Sequence, residues 1–267
     1  MWDGLIANCV TFFVVKKLSI QCHFALSLLA PKIQAKSPSS ARITCASSYQ
    51  IHSMTTSTIA ALTTHDTTRI DDVRIGAVRP LITPALLEEK LPVPAAAEAL
   101  VESSRAAISR ILQGQDDRLV VVVGPCSIHD HSQAMEYARL LKAQADALSA
   151  DLLVVMRVYF EKPRTTVGWK GYINDPHLDG SFAINEGLEM ARALLLDVLA
   201  LGLPVGTEFL DLLSPQFISD LVSWGAIGAR TTESQSHRQL ASGLSCPVGF
   251  KNGTDGGVKV ASDAIQA

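Results

Sequence analysis

The stretch Asp151–Thr165, DLLVVMRVYFEKPRT, indicates the fold because a buried segment runs directly into a cluster of cations. The run 152–156 has the length and the apolar composition of a strand that is buried on both faces. Three cations and one carboxylate follow it within eight residues: Arg157, Glu161, Lys162 and Arg164. An excess of positive charge beyond a buried strand predicts an anionic ligand at the end of that strand.

The same pattern recurs downstream of residue 71, where short apolar runs alternate with amphipathic segments. Strands are predicted at 119–123, 152–156, 204–207, 226–229 and 247–250. Helices are predicted at 95–112, where Gly114 ends the helix, at 184–201, and in segments near Met135–Leu148 and before Gly243. Strands that alternate with helices predict βαβ units and a parallel sheet.

Capping residues predict where two of the helices begin. Ser214 with Pro215 provides an N-cap and a first-turn proline for a helix that ends near Trp224. Thr232 and Gln235 have the spacing of a capping box before the next helix.

Two architectures fit this order of elements, an open doubly wound sheet and a (β/α)8 barrel. No GxGxxG follows the first strand, which disfavours the dinucleotide-binding version of the open sheet. Reactive side chains follow each of the five strands, as they do in a barrel whose active site is built from strand ends: Cys126, Arg157, Glu208, Arg230 and Lys251. The predicted fold is therefore α/β, a TIM (β/α)8-type barrel with an N-terminal arm.

This barrel is predicted to be incomplete. About five strand–helix units are present where closure needs eight, and the chain stops inside the helix after the fifth strand. We expect an open side with unpaired strand edges, which a partner or further sequence would complete.

The composition limits the functional classes. The 267 residues are 48% hydrophobic and 18% charged with a net charge of −3, so no global positive field is available for nucleic acid or an acidic membrane surface. Five cysteines occur without a CxxC pair, which argues against a disulfide framework and a structural zinc site: Cys9, Cys22, Cys45, Cys126 and Cys246. Reduced thiols predict an intracellular, cytoplasmic protein.

Three regions are predicted along the chain: an extension at 1–53, an N-terminal arm at 54–94 and a partial barrel at 95–267. Between Gly4 and His65 there is no Asp or Glu, and scattered Lys and Arg occur among serines. This pattern resembles an organelle transit peptide. The alternative is an unstructured extension, or one from an incorrect gene model, because Met54 offers a second start. The apolar run 18–30 is too short for a membrane-spanning helix.

Five cations against one carboxylate, Glu208, are expected at one barrel mouth: Arg157, Lys162, Arg164, Arg230 and Lys251. Arginine binds phosphate or carboxylate in bidentate fashion, and lysine supplies a point charge and a proton. Two phosphorylated substrates would account for this much charge. For any one arginine alone, pairing with a surface carboxylate or a helix end is the simpler interpretation, but five cations at successive strand ends favour an anion site.

The remaining reactive residues are ambiguous in isolation. Cys126 alone has the features of a small buried hydrophobic residue, although His129 and His131 nearby leave a Cys–His nucleophile open. His177 and His237 are expected to be structural or solvent-facing. The loop 249–257, GFKNGTDGG, has glycines that allow backbone amides to approach an anion.

Four longer motifs together resemble one known family. They are GPCSIHD (124–130), MRVYFEKPRTTVGWKGYINDP (156–176), GTEFLD (206–211) and WGAIGARTTESQSHRQLASGLSCPVGFKNGTDG (224–256). They resemble the class I 3-deoxy-D-arabino-heptulosonate-7-phosphate (DAHP) synthases of the fungal and bacterial feedback-regulated type. These transferases condense phosphoenolpyruvate with erythrose 4-phosphate at the start of the shikimate pathway to chorismate and the aromatic amino acids.

The resemblance implies roles for the matching positions. The phosphate and carboxylate of phosphoenolpyruvate would be held by Arg157, Lys162, Arg230 and Lys251, with Glu208 at the edge of that pocket. Arg164 and Thr165 would receive the phosphate of erythrose 4-phosphate. Cys126 would be the first ligand of a divalent metal (Mn, Fe, Co or Zn) that polarises the aldehyde, and Lys162 would protonate the new alkoxide.

The chain also departs from the family pattern. The resemblance implies a His, a Glu and an Asp as further metal ligands, and no positions here match them, although a catalytic metal normally takes at least three protein ligands. A non-catalytic remnant that binds phosphorylated ligands or an intact paralogue is therefore an alternative, and a Schiff-base aldolase that uses Lys251 is another. The family also implies a homo-oligomer and an aromatic amino acid as inhibitor, bound with help from the arm at 71–94.

Overall fold

The structure is a computed structural model that describes residues 10–16, 19–23, 72–164 and 166–267. The chain divides into two compact units, one of residues 1–26 with 81–267 and one of residues 27–80. In the second unit, residues 72–80 begin with a turn in which the Ile75 amide donates to the Asp72 carbonyl over 2.9 Å.

A single sheet organises the larger unit. Its strands are β1 Val10–Lys16, β2 Ser19–His23, β3 Leu119–Pro125, β4 Leu152–Arg157, β5 Val205–Glu208, β6 Trp224–Ile227 and β7 Val248–Phe250. They lie side by side in the order β2-β1-β3-β4-β5-β6-β7. The strands β3 to β7 are parallel to one another, with Val121 paired with Val154 and Arg157 with Gly206. This confirms the five strand–helix units of an incomplete barrel.

Helices connect the parallel strands. They are α1 Pro84–Lys90, α2 Ala95–Leu112, α3 His131–Ala147, α4 Ile184–Ala200, α5 Pro215–Ile218, α6 Gln235–Gly243 and α7 Lys259–Gln266, with a 3-10 turn at Ser219–Leu221. The helix α2 has the predicted bounds, and Gly114 just beyond it has a φ of 74°, a left-handed conformation that glycine adopts without a steric cost. No helix in the described part of the chain is long and apolar enough to cross a membrane.

The core lies between the sheet and its helices. The helix α4 is apolar over most of its surface and packs against α2, α3 and β5. Its Leu194, Leu195 and Val198 are fully buried. Arg192 on the same helix is also fully buried, and its guanidinium binds both carboxylate oxygens of Asp220 at 2.7 and 2.8 Å. Arg192 also donates to the Leu91 carbonyl, which connects the segment before α2 to the 3-10 turn.

One expectation about the sheet edges was wrong. The outer edge of β3 is not unpaired, because β1 pairs with it antiparallel, with Val14 opposite Val121. The hairpin of β1 and β2 lies within residues 1–53, where no strand was predicted. An open strand edge offers unpaired backbone groups that an extended segment of almost any sequence can satisfy. Most of residues 1–71 lies outside the described part of the chain, and the division at residues 53 and 94 stays a prediction.

The local predictions of helix starts also need correction. Ser214 does not cap α5 with its side chain, and its hydroxyl instead lies 3.2 Å from a carboxylate oxygen of Glu161. Ser234 rather than Thr232 caps α6, because Thr232 is buried with its hydroxyl 2.9 Å from the carbonyl oxygens of Gly228 and Lys251. Trp224 begins β6 instead of lying near the end of a helix. For Ser214 and Thr232, partners that are distant in the sequence, Glu161 and Lys251, outweigh the local pattern.

Candidate anion-binding site at the carboxyl ends of the strands

Parallel strands bring the predicted residues to one edge of the sheet. Cys126 directly follows β3, Arg157 ends β4, Glu208 ends β5, and Lys251 directly follows β7. Because the carboxyl ends of these strands point the same way, side chains that are far apart in sequence face a common space. This edge is the candidate site.

Arg157 is anchored at the centre of this edge. Its side chain is buried, and Nη2 donates to the Cys126 carbonyl over 3.2 Å. Gly124 allows β3 to approach the end of β4 closely, because a Cβ at this position would lie 2.5 Å from the Arg157 carbonyl oxygen. The segment Gly124-Pro125-Cys126 therefore packs closely against Arg157.

Lys162 extends from the loop after β4 to Cys126, with Nζ 2.9 Å from Sγ. Burial raises the pKa of the Cys126 thiol, but the hydrogen bond from Lys162 and the charges of Lys162 and Arg157 outweigh this, so the pKa lies below its ordinary value. Cys126 is thus half-buried and poised to form a thiolate, which differs from an inert buried hydrophobic residue.

Lys251 forms an ion pair with Glu208, with Nζ 2.9 Å from Oε2. The Glu208 side chain is only 9% exposed, so this contact is shielded from water on most sides. The carboxylate packs closely against the backbone of Gly228, because a Cβ at this position would clash with Glu208 Oε1. Glu208 therefore compensates one of the cations at the strand ends.

Tyr159 links the two halves of the site, although the sequence did not single it out. The guanidinium carbon of Arg157 lies 4.0 Å from the centroid of its ring, and Lys251 Nζ lies 5.3 Å from it. Burial raises the pKa of the Tyr159 hydroxyl, so the ring stays neutral. The one feature of the sequence that could have pointed to Tyr159 is that an aromatic residue stands two positions beyond Arg157.

Glu161 is a second residue that sequence reasoning missed as part of the site region. It is 8% exposed, and its carboxyl group accepts from the Ser214 hydroxyl and lies in hydrogen-bond contact with Asp211. Burial, followed by the hydrogen bond and the charge of Asp211, raises the pKa of Glu161 to about 8. This buried acid adjoins Lys162 in the sequence and belongs to the same loop.

Three predicted residues are not brought into this cluster. The Arg164 side chain is exposed, and its Nε donates to the Trp169 carbonyl over 2.8 Å. Arg230 is exposed in the turn after β6 and makes no hydrogen bond or ion pair to another described residue. Thr165 lies outside the described residues. The roles predicted for these three residues stay predictions.

Three of the described histidines contact residues outside this cluster. His131 is 2.9 Å from Asp197 on the surface, which gives no geometric support to a Cys–His nucleophile formed with Cys126. His177 is exposed and lies 2.8 Å from Glu186. His237 is partly buried, with its ring nitrogens 2.9 Å from the Ser234 hydroxyl and the Leu210 carbonyl. Both have the structural or solvent-facing positions expected of them.

The described residues do not by themselves fit a catalytic metal ion. Within residues 72–164 and 166–267, no group of three His, Cys, Asp or Glu side chains is arranged to hold one. Cys126 supplies one donor, whereas catalytic sites normally take at least three protein ligands. The predicted divalent metal therefore stays a prediction, and no chemical step is derived through it.

A half barrel of parallel strands with clustered cations at their carboxyl ends defines a protein of the α/β barrel class with a cationic rim. The model of the DAHP synthetase I family matches residues 92–267, and the chain belongs to this family. This confirms the resemblance that the four motifs indicated.

Individual relatives agree with this assignment. The chain is 63% identical over 197 residues to the Phe-sensitive phospho-2-dehydro-3-deoxyheptonate aldolase of Escherichia coli (strain K12), covering 74% of this chain and 56% of the relative. It is 59% identical over 204 residues to the tyrosine-inhibited enzyme of Schizosaccharomyces pombe, covering 76% of this chain and 55% of the relative. The solved phospho-2-dehydro-3-deoxyheptonate aldolase from Francisella tularensis SCHU S4 matches with a TM-score of 0.70 and 54% identity, over 72% of this chain and 56% of that chain. The chain thus spans a little over half the length of the relatives it matches.

Proposed function

We propose that the protein is a DAHP synthase, which condenses phosphoenolpyruvate with erythrose 4-phosphate to DAHP and phosphate. The observation that carries this proposal is the cluster of Arg157, Lys162 and Lys251 at one strand edge, with Glu208 as the carboxylate among them. The 63% identity to a phospho-2-dehydro-3-deoxyheptonate aldolase supports it.

The charges in this cluster suit phosphoenolpyruvate. This substrate carries a phosphate and a carboxylate on the same carbon, C2, and a guanidinium fork and an ammonium can bind one group each. Arg157 and Lys251 are the residues for this role, with the exposed Arg230 as a third cation that would reach the ligand from the turn after β6. Arg164 and Thr165 would bind the phosphate of erythrose 4-phosphate.

The reaction forms a bond between C3 of phosphoenolpyruvate and the aldehyde carbon of erythrose 4-phosphate. Electrons from the enol double bond form the new bond, water adds at C2, and phosphate leaves from that carbon. The aldehyde oxygen becomes an alkoxide that needs a proton, and Lys162 is the proposed donor because it lies at the same strand edge. The cations stabilise the negative charges, so the contribution of the protein is electrostatic and positional.

Two alternative functions can be distinguished from the proposed one. A Schiff-base aldolase would need Lys251 as a free amine, but Lys251 donates to the Glu208 carboxylate, which disfavours this role. A non-catalytic protein would bind phosphate esters without turnover.

The test is to incubate the purified protein with both esters and a divalent metal, and to measure DAHP formation and phosphate release together. Lys162→Met should abolish turnover, whereas Lys170→Met, an exposed lysine in the same loop, should leave it unchanged. Binding of both esters without any DAHP would support the non-catalytic alternative. Binding of neither ester would overturn the proposal.

We also propose that an aromatic amino acid inhibits the protein, as the names of the Phe-sensitive and tyrosine-inhibited relatives state for those proteins. A groove of about 1050 Å³ between α2, α5 and α6 has suitable chemistry. Apolar side chains that include Val93, Leu240 and Leu244 could cover a ring, and Glu98 and Glu102 could bind an ammonium group.

The inhibition experiment compares phenylalanine, tyrosine and tryptophan as inhibitors of DAHP formation. Leu244→Arg should abolish inhibition with little change in uninhibited activity, because the groove lies away from the carboxyl ends of the strands. Unchanged inhibition of this variant would place the effector elsewhere.

A further inference from the structure

Tyr159 is buried against two cations that come from non-adjacent strands. It lies two positions after Arg157, the last residue of β4, and it is 2% exposed. Lys251 directly follows β7, and β5 and β6 separate β4 from β7 in the sheet. Nevertheless Arg157 and Lys251 both lie over the same ring, at 4.0 and 5.3 Å from its centroid.

The ring offsets a repulsion that the site would otherwise contain. Two cations that face one ligand repel each other before the ligand arrives, and burial strengthens that repulsion because less water screens it. The face of an aromatic ring carries negative electrostatic potential and attracts a cation within about 6 Å of its centroid. Tyr159 can therefore attract both Arg157 and Lys251 without adding a formal charge that would repel an anionic ligand.

Two further contacts connect each cation to a different strand end. Arg157 donates to the Cys126 carbonyl directly after β3, and Lys251 pairs with Glu208 on β5. Each of these contacts fixes one cation and does not involve the other. The Tyr159 ring contacts both cations, so it can set their separation.

We infer that Tyr159 is a positioning residue, whose ring holds Arg157 and Lys251 at the separation that one small phosphorylated carboxylate requires. The identity of that ligand, phosphoenolpyruvate, rests on the proposed function. The ring itself does not take part in the reaction.

The test measures ligand affinity by isothermal titration calorimetry for the wild type, Tyr159→Phe and Tyr159→Leu. Phenylalanine retains the ring face, so Tyr159→Phe should bind phosphoenolpyruvate within about twofold of the wild type. Leucine fills similar space without a ring, so Tyr159→Leu should bind on the order of tenfold more weakly. Affinity for erythrose 4-phosphate should be the same in all three proteins, because Arg164 does not contact the ring.

A matched control separates positioning from general damage. Tyr137→Leu removes a half-buried tyrosine from α3, away from the cations, and should leave phosphoenolpyruvate affinity unchanged. Thermal melting of every variant shows whether each one is folded. Equal affinity of Tyr159→Leu and the wild type would overturn the inference, and so would a Tyr159→Phe variant as weak as Tyr159→Leu.

Inorganic phosphate serves as a second probe that is independent of the substrate assignment. If the wild type binds phosphate but not phosphoenolpyruvate, the proposed function fails, while weaker phosphate binding by Tyr159→Leu still supports the role of the ring. If the wild type binds neither, both the inference and the proposed function are overturned.

Discussion

Lys162 Nζ lies 2.9 Å from Cys126 Sγ, and this contact joins the loop after β4 to the end of β3. The two residues are 36 positions apart in the sequence. Their contact places the proposed proton donor beside a thiol with a lowered pKa, and it holds both at the strand edge where the cations gather. The consequences of this contact can be measured directly.

Replacing Lys162 with Met should raise the pKa of the Cys126 thiol. Burial would still oppose the thiolate, while the hydrogen bond and the charge of Lys162 that favour it would be lost. The rate at which iodoacetamide alkylates Cys126 can be followed by peptide mass spectrometry across roughly pH 6 to 10, the range in which thiols ordinarily titrate. The pH at which this rate rises should therefore be higher in Lys162→Met than in the wild type.

Lys170→Met is the control, because Lys170 is exposed in the same loop. Cys246 gives an internal reference, since burial raises the pKa of its thiol and it should react slowly in every variant. An unchanged pH profile for Cys126 in Lys162→Met would show that the lysine does not stabilise the thiolate.

The Glu161 carboxyl should make stability depend on pH. Burial, then the Asp211 hydrogen bond and charge, raises the pKa of Glu161 from 4.5 to about 8, so the folded protein binds a proton that the unfolded chain releases more easily. This contribution to the free energy of unfolding is complete below pH 4.5, declines as pH rises, and is lost above about pH 8. Denaturant unfolding at a series of pH values measures it.

The Glu161→Gln variant should lose much of this dependence, because glutamine is permanently neutral. Its free energy of unfolding should decline less than that of the wild type between roughly pH 5 and 8, the interval between the pKa values of Glu161 in the unfolded and folded states. Glu136→Gln, an exposed position on α3, should follow the wild type. Parallel curves for Glu161→Gln and the wild type would mean that Glu161 is not protonated in the folded protein.

Replacing Arg192 with Ala should strongly destabilise the larger unit. The substitution leaves the carbonyls of Leu91 and Phe217 and the carboxylate of Asp220 without their donor. Asp220 is 37% exposed, so water can solvate part of its freed carboxylate, but each buried carbonyl that is left without a donor typically costs about 1 to 3 kcal/mol. Chemical denaturation should show this loss, whereas the exposed Arg110→Ala on α2 should change stability by less than about 0.5 kcal/mol.

A methyl group at Gly124 should disturb the anion site through the backbone. In Gly124→Ala the new Cβ would lie 2.5 Å from the Arg157 carbonyl oxygen, so β3 and β4 must separate. Overpacking of this kind typically costs about 1 to 3 kcal/mol, and phosphoenolpyruvate affinity should fall with it because Arg157 moves. Gly243→Ala has no atom within 4 Å of its Cβ and should change neither quantity. Wild-type affinity in Gly124→Ala would contradict the proposed role of this close approach.

Much of this fold follows from local patterns in the sequence. The parallel strands begin and end within two residues of their predicted bounds, because short branched apolar runs bounded by polar residues can be recognised without their neighbours. Cys126, Arg157, Glu208 and Lys251 could be assigned to one edge because parallel strands align their carboxyl ends. The order of strands and helices along the chain was sufficient to assign these residues to one edge.

Contacts between distant segments could not be obtained in this way. The sequence contains no local sign that Ser214 binds Glu161, that Thr232 approaches Lys251, or that the hairpin of β1 and β2 covers the edge of β3. The position of the Tyr159 ring beneath two cations depends on the separation of β4 and β7 across the sheet. Local sequence specifies periodicity and the residues available at each strand end, whereas the pairing of side chains depends on packing among segments that meet only when the chain has folded.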